Sequence, residues 1–379
     1  MNYRLLMEDC VLVDNKIYFF SKGWNSLFVT DLESRETELL GVIPEEEILG
    51  DRLCAGIVHY NGKLILLPMH AKKIWIYDLA NGQWTGIERK YTMEENLYNE
   101  IFRAVEYKNT LILVGSNYPA IIRMNMDTYE LEYCTEPYSY LLSKKNKSDF
   151  FFRSDFSLIN NQLFLASCLN NHVLKLNLDT LDYQWYEVGE KDFRYSGITY
   201  DGKFFWLSPR TGTPIVKWDG KNKEEYFPLP KHFDKTTKNF IGVQYDDGIL
   251  IFPGIFHKKT LLINPYDPYN IEECEGQYFF YRCDDKGRVV SQSVDGLFRL
   301  KDPKLNKQYS IYCEVSQEYV MSYLTKEHKK RHNEHMEHDI KYESSSLSLP
   351  LYILLFGKDS VDKDIEPNVG ARLWENTRS

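Results

Sequence analysis

The chain repeats one plan seven times at a spacing of about 45 residues. A unit of that length cannot bury its own apolar faces, so the repeats must pack on one another. The plan is clearest in Ala55 to Arg89 (AGIVHYNGKLILLPMHAKKIWIYDLANGQWTGIER), Phe102 to Cys134 and Phe151 to Val188. Each copy has an apolar run, a two-residue polar turn, a second apolar run, a loop, a third run ending in Asp or Asn, and a short fourth run rich in Trp and Tyr. Short apolar runs bounded by turn residues read as strands, four to a unit.

The turn joining the first two strands gives the register, since a tight hairpin needs residues that tolerate positive φ at its centre. It falls at Asn15-Lys16, Asn61-Gly62, Lys108-Asn109, Asn160-Asn161, Asp201-Gly202, Asp247-Gly248 and Lys286-Gly287, at intervals of 39 to 52 residues. Small sheets with two apolar faces are stable when stacked face to face, and closing the stack into a ring protects its edges. The expected fold is all-β: a seven-bladed β-propeller of four-stranded blades over residues 1–315, followed by a short, mainly helical C-terminal extension over 316–379.

The order of apolar run, NG turn, LYxYDL-like third strand and Trp in the fourth resembles bacterial kelch-like seven-bladed propellers. Ile74 to Trp84 (IWIYDLANGQW) shows it best, followed by Val173 to Trp185. The paired glycines of kelch second strands are missing, as are the marks of WD40 repeats apart from Trp218-Asp219. The resemblance therefore implies blade architecture and transfers no catalytic residue.

Composition narrows the class. Twenty-eight Tyr, 21 Phe and 7 Trp suit pleated, half-buried surfaces. A net charge of −9 disfavours a nucleic-acid partner. The start, MNYRLLMEDC, lacks the basic and apolar regions of a signal peptide, and the late apolar stretch Leu349 to Phe356 is too short to span a bilayer. Seven cysteines without a CxxC pair read as reduced, packed thiols. The expectation is a cytoplasmic protein with no membrane insertion and no cofactor.

In a propeller the loops between second and third strands share a face with the links between blades, around the mouth of the central channel. Two sets of residues recur there. Phe102-Arg103, Phe152-Arg153 and Phe193-Arg194 repeat a dipeptide in three successive blades, with Arg52 slightly earlier in the blade before. Counted back from the first apolar residue after each hairpin turn, Arg52, Arg103, Arg153 and Arg194 sit at 12, 8, 10 and 10 residues. Even offsets place all four on one side of a pleat. Converging guanidiniums suit a carboxylate, phosphate or sulfate; paired with acids such as Asp51, Glu106, Asp155 or Asp192, they would instead pin blades together.

The second set is the loops themselves, which carry His70, His172 and His257 in blades 2, 4 and 6 and Arg210 in SPRTGTP. Imidazoles can bind metal or move protons, but these three are spread around the ring, with no carboxylate at fixed spacing. The insertions at 41–52, 90–101 and 137–149 crowd the same face. Beyond the ring, Ser316 to Asp339 reads as a helix bearing His328, His332, His335 and His338 near one side, which is either a metal-ligating row or a solvated face. Leu373 and Trp374 are candidate anchors for a docked tail.

No Walker A loop, dinucleotide fingerprint, GxSxG elbow or HExxH pair is present. Two readings stand. One is a non-catalytic recognition module that binds a protein partner or an anionic small ligand on its loop-bearing face. The other is a propeller lyase or hydrolase acting on an anionic or glycan-like substrate, with the arginines orienting the acid and a loop histidine moving a proton. The latter resembles antibiotic-inactivating propeller lyases in architecture.

Overall fold

Seven four-stranded antiparallel sheets form in chain order, each from four consecutive strands. Their first strands are Met7–Val13, Cys54–Tyr60, Ile101–Tyr107, Ser157–Ile159, Tyr195–Tyr200, Gln244–Asp246 and Tyr278–Cys283. This computed structural model describes residues 2–22, 24–46, 52–89, 100–143, 149–153, 155–233, 238–256, 258–283, 287–302, 306–316, 318–319 and 322–323. First strands of neighbouring blades pack together in six of the seven neighbouring pairs, that of blade 7 meeting that of blade 1, and blades 3 and 4 join through a shared apolar cluster, so the sheets close into a seven-bladed β-propeller.

Local chemistry explains the blades. Positive φ occurs at Asp14, Asn61, Gly62, Lys108, Asn160, Gly202, Asp247, Gly248 and Gly287, where the first hairpins turn. Blade 1 turns at Asp14-Asn15, one residue earlier than the sequence suggests. Blade 5 uses four residues, since Tyr200 pairs with Phe205 and the Asp201 carboxylate caps the Lys203 and Phe204 amides. The Asp or Asn closing each third run also has a job. Asp31, Asp78, Asn125, Asn177, Asp219 and Asn264 each accept the amide hydrogen two residues on, at 2.8–2.9 Å, which pins the turn into the fourth strand.

The core lies between blades. Each of six apolar clusters is shared by two adjacent sheets, running around the ring from the blade 7–blade 1 seam to the blade 5–blade 6 seam. Between blades 6 and 7 the described residues form a polar seam: the Gln244 side chain accepts the Cys283 amide at 3.2 Å, and Lys301 lies 3.8 Å from Asp246. All seven cysteines are free thiols, five of them buried.

The ring is sealed outside the blades. Asn2–Arg4 pairs antiparallel with Glu314–Ser316, and the Leu5 amide donates to the Cys313 carbonyl. Gln292, fully buried in blade 7, accepts the Met7 amide at 2.9 Å and donates to the carbonyls of Leu5 and Gly296. Of the extension, residues 318–319 and 322–323 are helical. The histidine row from His328 to His338, the 349–356 stretch and the anchors Leu373 and Trp374 lie outside the described residues.

Gln292→Ala leaves the Met7 amide and the Leu5 carbonyl buried without partners, at about 1–3 kcal/mol each. Urea denaturation of the full chain is therefore expected to show a loss of roughly 3 kcal/mol, against little change for a substitution of the exposed Asn81.

Candidate functional site

One hydrogen bond recurs in all seven blades. An amide in the loop between the second and third strands donates to the carbonyl that leads into the first strand: Lys22 to Leu6, Met69 to Leu53, Ser116 to Glu100, Cys168 to Phe151, Arg210 to Arg194, Ile255 to Asn239 and Val294 to Gln277, at 2.7–3.1 Å. Two residues beyond each carbonyl stand Glu8, Ala55, Phe102, Arg153, Ser196, Ile241 and Phe279. All of these except Ser196 line one cavity of about 470 Å³ at the channel mouth. In five blades the ladder slips at this residue. A β-bulge leaves one residue unpaired and re-aims its side chain, here toward the axis.

That frame corrects the arginine pattern. The three Phe-Arg pairs are not equivalent. Measured from the lead-in carbonyl, Arg103 is three residues on, Arg153 is two on, Arg194 is the carbonyl residue itself, and Arg52 lies one before it. The even spacing fails because Arg52, Arg153 and Arg194 precede their strands and a bulge interrupts the one holding Arg103. Arg194 is exposed and donates to the Asp192 carbonyl. Arg52 pairs with Glu8 at 3.2 Å, beside Lys22 at 3.0 Å.

Arg103 is tied across the channel. Its guanidinium meets Asp9 of blade 1 at 2.8 Å, Arg282 of blade 7 meets the same carboxylate at 3.1 Å, and the Ile57 amide of blade 2 also points at it. Asp9 is 5% exposed. A second carboxylate, Asp155, accepts the Val243 amide at 2.7 Å from across two blades. It fits because blades 5 and 6 place glycine there: a Cβ on Gly242 would stand 1.6 Å from its carboxylate, and one on Gly197 2.8 Å from its Cβ. Burial pushes Asp155 up to about 6, against the opposing pull of Arg103, the Val243 and Gln244 hydrogen bonds, and Arg153.

Arg153 is different. It faces the cavity over the rings of Phe102 (5.6 Å) and Phe150 (5.2 Å), and it has no hydrogen bond or ion pair to a carboxylate among the described residues. Its pKa is lowered by burial. Arg210 is 5% exposed, and its Nη2 has no hydrogen-bond partner among the described residues and reaches Asp149 only at 4.0 Å. Lys238 is the third cation of this wall. Its pKa is lowered first by burial and then by Arg210 and Arg153, with Asp149 opposing. The Cys168 thiol, raised by burial, feels the same three cations.

His70 lines the cavity, whereas His172 lies 3.7 Å from Glu187 and packs near Tyr140 and Trp185, away from the cavity lining. His257 is outside the described residues, as are most of the three insertions, although Glu136–Leu142 forms a helix whose Tyr138 hydroxyl donates to the Gly115 carbonyl. Among the described residues no three His, Cys, Asp or Glu side chains are grouped to hold a metal ion, and no helix is long and apolar enough to cross a membrane.

Glu8, Asp9, Lys22 and Lys238 were not singled out by the sequence, and Asp155 was read only as an acid that could pair with an arginine. The usable signal was the hairpin turn: Glu8, Ala55, Phe102 and Ile241 all lie six residues before the first turn residue of their blades, and Arg153 lies seven before its own.

No family model and no curated protein matches the sequence. Solved structures match the fold. Virginiamycin B lyase from Staphylococcus aureus aligns at a TM-score of 0.55 and 14% identity, over 82% of this chain and 98% of that one. A chain of the mitotic checkpoint complex aligns at 0.54 and 8%, over 82% and 91%, and BamB from Moraxella catarrhalis at 0.50 and 10%, over 83% and 90%. At such identities the likeness is one of fold, so the chain is a β-propeller whose relatives in shape include both a lyase and a component of a protein assembly.

Since the folded chain holds the Asp155 proton to about pH 6 and an unfolded one releases it near 3.8, stability is greatest at low pH as far as this group is concerned. It falls as pH rises between those values, by up to about 3 kcal/mol, and is flat above. Asp155→Asn keeps an acceptor for Val243 and is expected to remove that fall; chemical denaturation of both proteins from pH 4 to 7 checks it.

Proposed function

We propose that this propeller is a non-catalytic recognition module that holds an anionic small ligand in the mouth of its channel. The observation that carries the reading is Arg153: a half-buried guanidinium, facing a cavity large enough for a small molecule, with no carboxylate paired to it among the described residues. Burying a charge without a partner costs stability, and residues kept at such a cost belong preferentially to sites that use them. The other two arginines that line the cavity are engaged, Arg52 by Glu8 and Arg103 by Asp9, so they shape it and Arg153 is left to meet the ligand. An anion there gains a charge-assisted hydrogen bond in a low-dielectric setting.

A lyase or hydrolase is the second reading, favoured by His70 and Glu100 lining the same cavity. It requires one of them to reach a ligand proton. His70→Ala separates the two readings, because a binding module keeps its affinity and has no turnover to lose.

Arg153→Met fills similar space without charge. The reading predicts that anion binding weakens at least tenfold by calorimetry while the melting temperature stays level or rises. A purely structural Arg153 would instead give a less stable variant with unaltered binding.

A further inference from the structure

The charges around the mouth do not balance evenly. On the side of blades 1, 2, 3 and 7, Asp9 answers Arg103 and Arg282, and Glu8 answers Lys22 and Arg52. On the side of blades 4 and 5, Arg153, Arg210 and Lys238 act on one another, and among the described residues only Asp149, 4.0 Å from Arg210, answers them at ion-pair distance. Glu100, Glu8 and Asp155 act on Arg153 only from beyond ion-pair distance, so within that distance this wall carries two more cations than carboxylates among the described residues. This surplus sits in a chain whose net charge is −9.

Hydrogen-bonding capacity is also in excess there. Arg210 Nη2 is unpartnered among the described residues, and so are both side-chain atoms of the buried Asn170, on the same blade 4 loop as Cys168. The rest of the cavity is of another character. Phe102, Phe150, Phe256 and Phe279 line it, with Phe256 65% exposed at the rim.

We infer that the blade 4–5 wall is a subsite for a doubly charged phosphoryl group, carried by a ligand whose flat aromatic part stacks on the phenylalanines, so that the occupant is an aromatic phosphomonoester. The inference rests on the reading of this mouth as an anion site and adds to it the charge and shape of the ligand. A surplus of two positive charges is neutralised by a dianion and only half neutralised by a carboxylate or sulfate ester. Arg153 meets the oxygens from the cavity side, and its position over Phe102 and Phe150 brings the aromatic surface next to the phosphoryl group. Arg210 and Lys238 act from behind through their charge.

Calorimetric titration of the full chain with phenyl phosphate, phenyl sulfate and inorganic phosphate tests each part. Phenyl phosphate is expected to bind at least tenfold tighter than phenyl sulfate, which has the same shape and one charge fewer, and at least tenfold tighter than inorganic phosphate, which lacks the ring. Arg210→Met should erase the preference for phosphate over sulfate; Lys238→Met, at a half-buried position, gives the same readout if the first variant does not fold. Phe102→Leu should bring phenyl phosphate down toward inorganic phosphate. Equal affinity for the sulfate and phosphate esters overturns the dianion assignment and leaves the anion site standing. Equal affinity for phenyl and inorganic phosphate overturns the aromatic part. No binding of any of the three overturns both this inference and the reading beneath it.

Discussion

The hydrogen bond from a loop amide to the lead-in carbonyl, made once in every blade, is the constraint on which the working face depends. It anchors the lead-in to each first strand, and in five blades it stands two residues before the bulge. A strand without a bulge sends alternate side chains to its two faces, both of which are needed here for packing between blades. In five blades the bulge frees one residue from that alternation, and in blades 4 and 6 the corresponding residue, Arg153 or Ile241, stands before the first strand. Around it, six apolar clusters shared by neighbouring sheets hold the blades at a fixed spacing. The mouth is thus set by packing deep in the ring, and its rigidity comes from contacts that no single blade could make.

Much of the fold was legible because its signals are local. Asn61-Gly62 turns because both residues adopt positive φ, and Asp78 ends its strand because its carboxylate captures the Ala80 amide. What was not legible depends on pairs far apart in the chain. Arg103 finds Asp9, 94 residues away, and Gln292 reaches Met7 across 285. The clasp between Asn2–Arg4 and Glu314–Ser316 carries no local mark in either segment. Counting in twos misplaced the arginines because Arg153 and Arg194 stand before their strands, where alternation does not hold, so Phe152-Arg153 and Phe193-Arg194 look alike and face different ways.

The carboxylates at the mouth show how a crowded set of charges is tolerated. Asp9 takes two guanidiniums and an amide, so its burial is compensated on nearly every side. Asp155 is seated by one amide and by the missing side chains of Gly197 and Gly242, and burial makes it hold its proton toward neutral pH. Arg153 and Arg210 lack comparable partners among the described residues, and the imbalance falls on one side of the cavity. Uncompensated buried charge lowers stability, and here it sits where a ligand can supply the missing counter-charge.

The most direct measurement is crystallographic. Crystals soaked in selenate, a tetrahedral dianion with a strong anomalous signal, are predicted to show a peak beside the Arg153 guanidinium on the blade 4–5 wall of the mouth. A mouth left empty while selenate occupies Arg52, Arg194 or the outer rim would contradict the account.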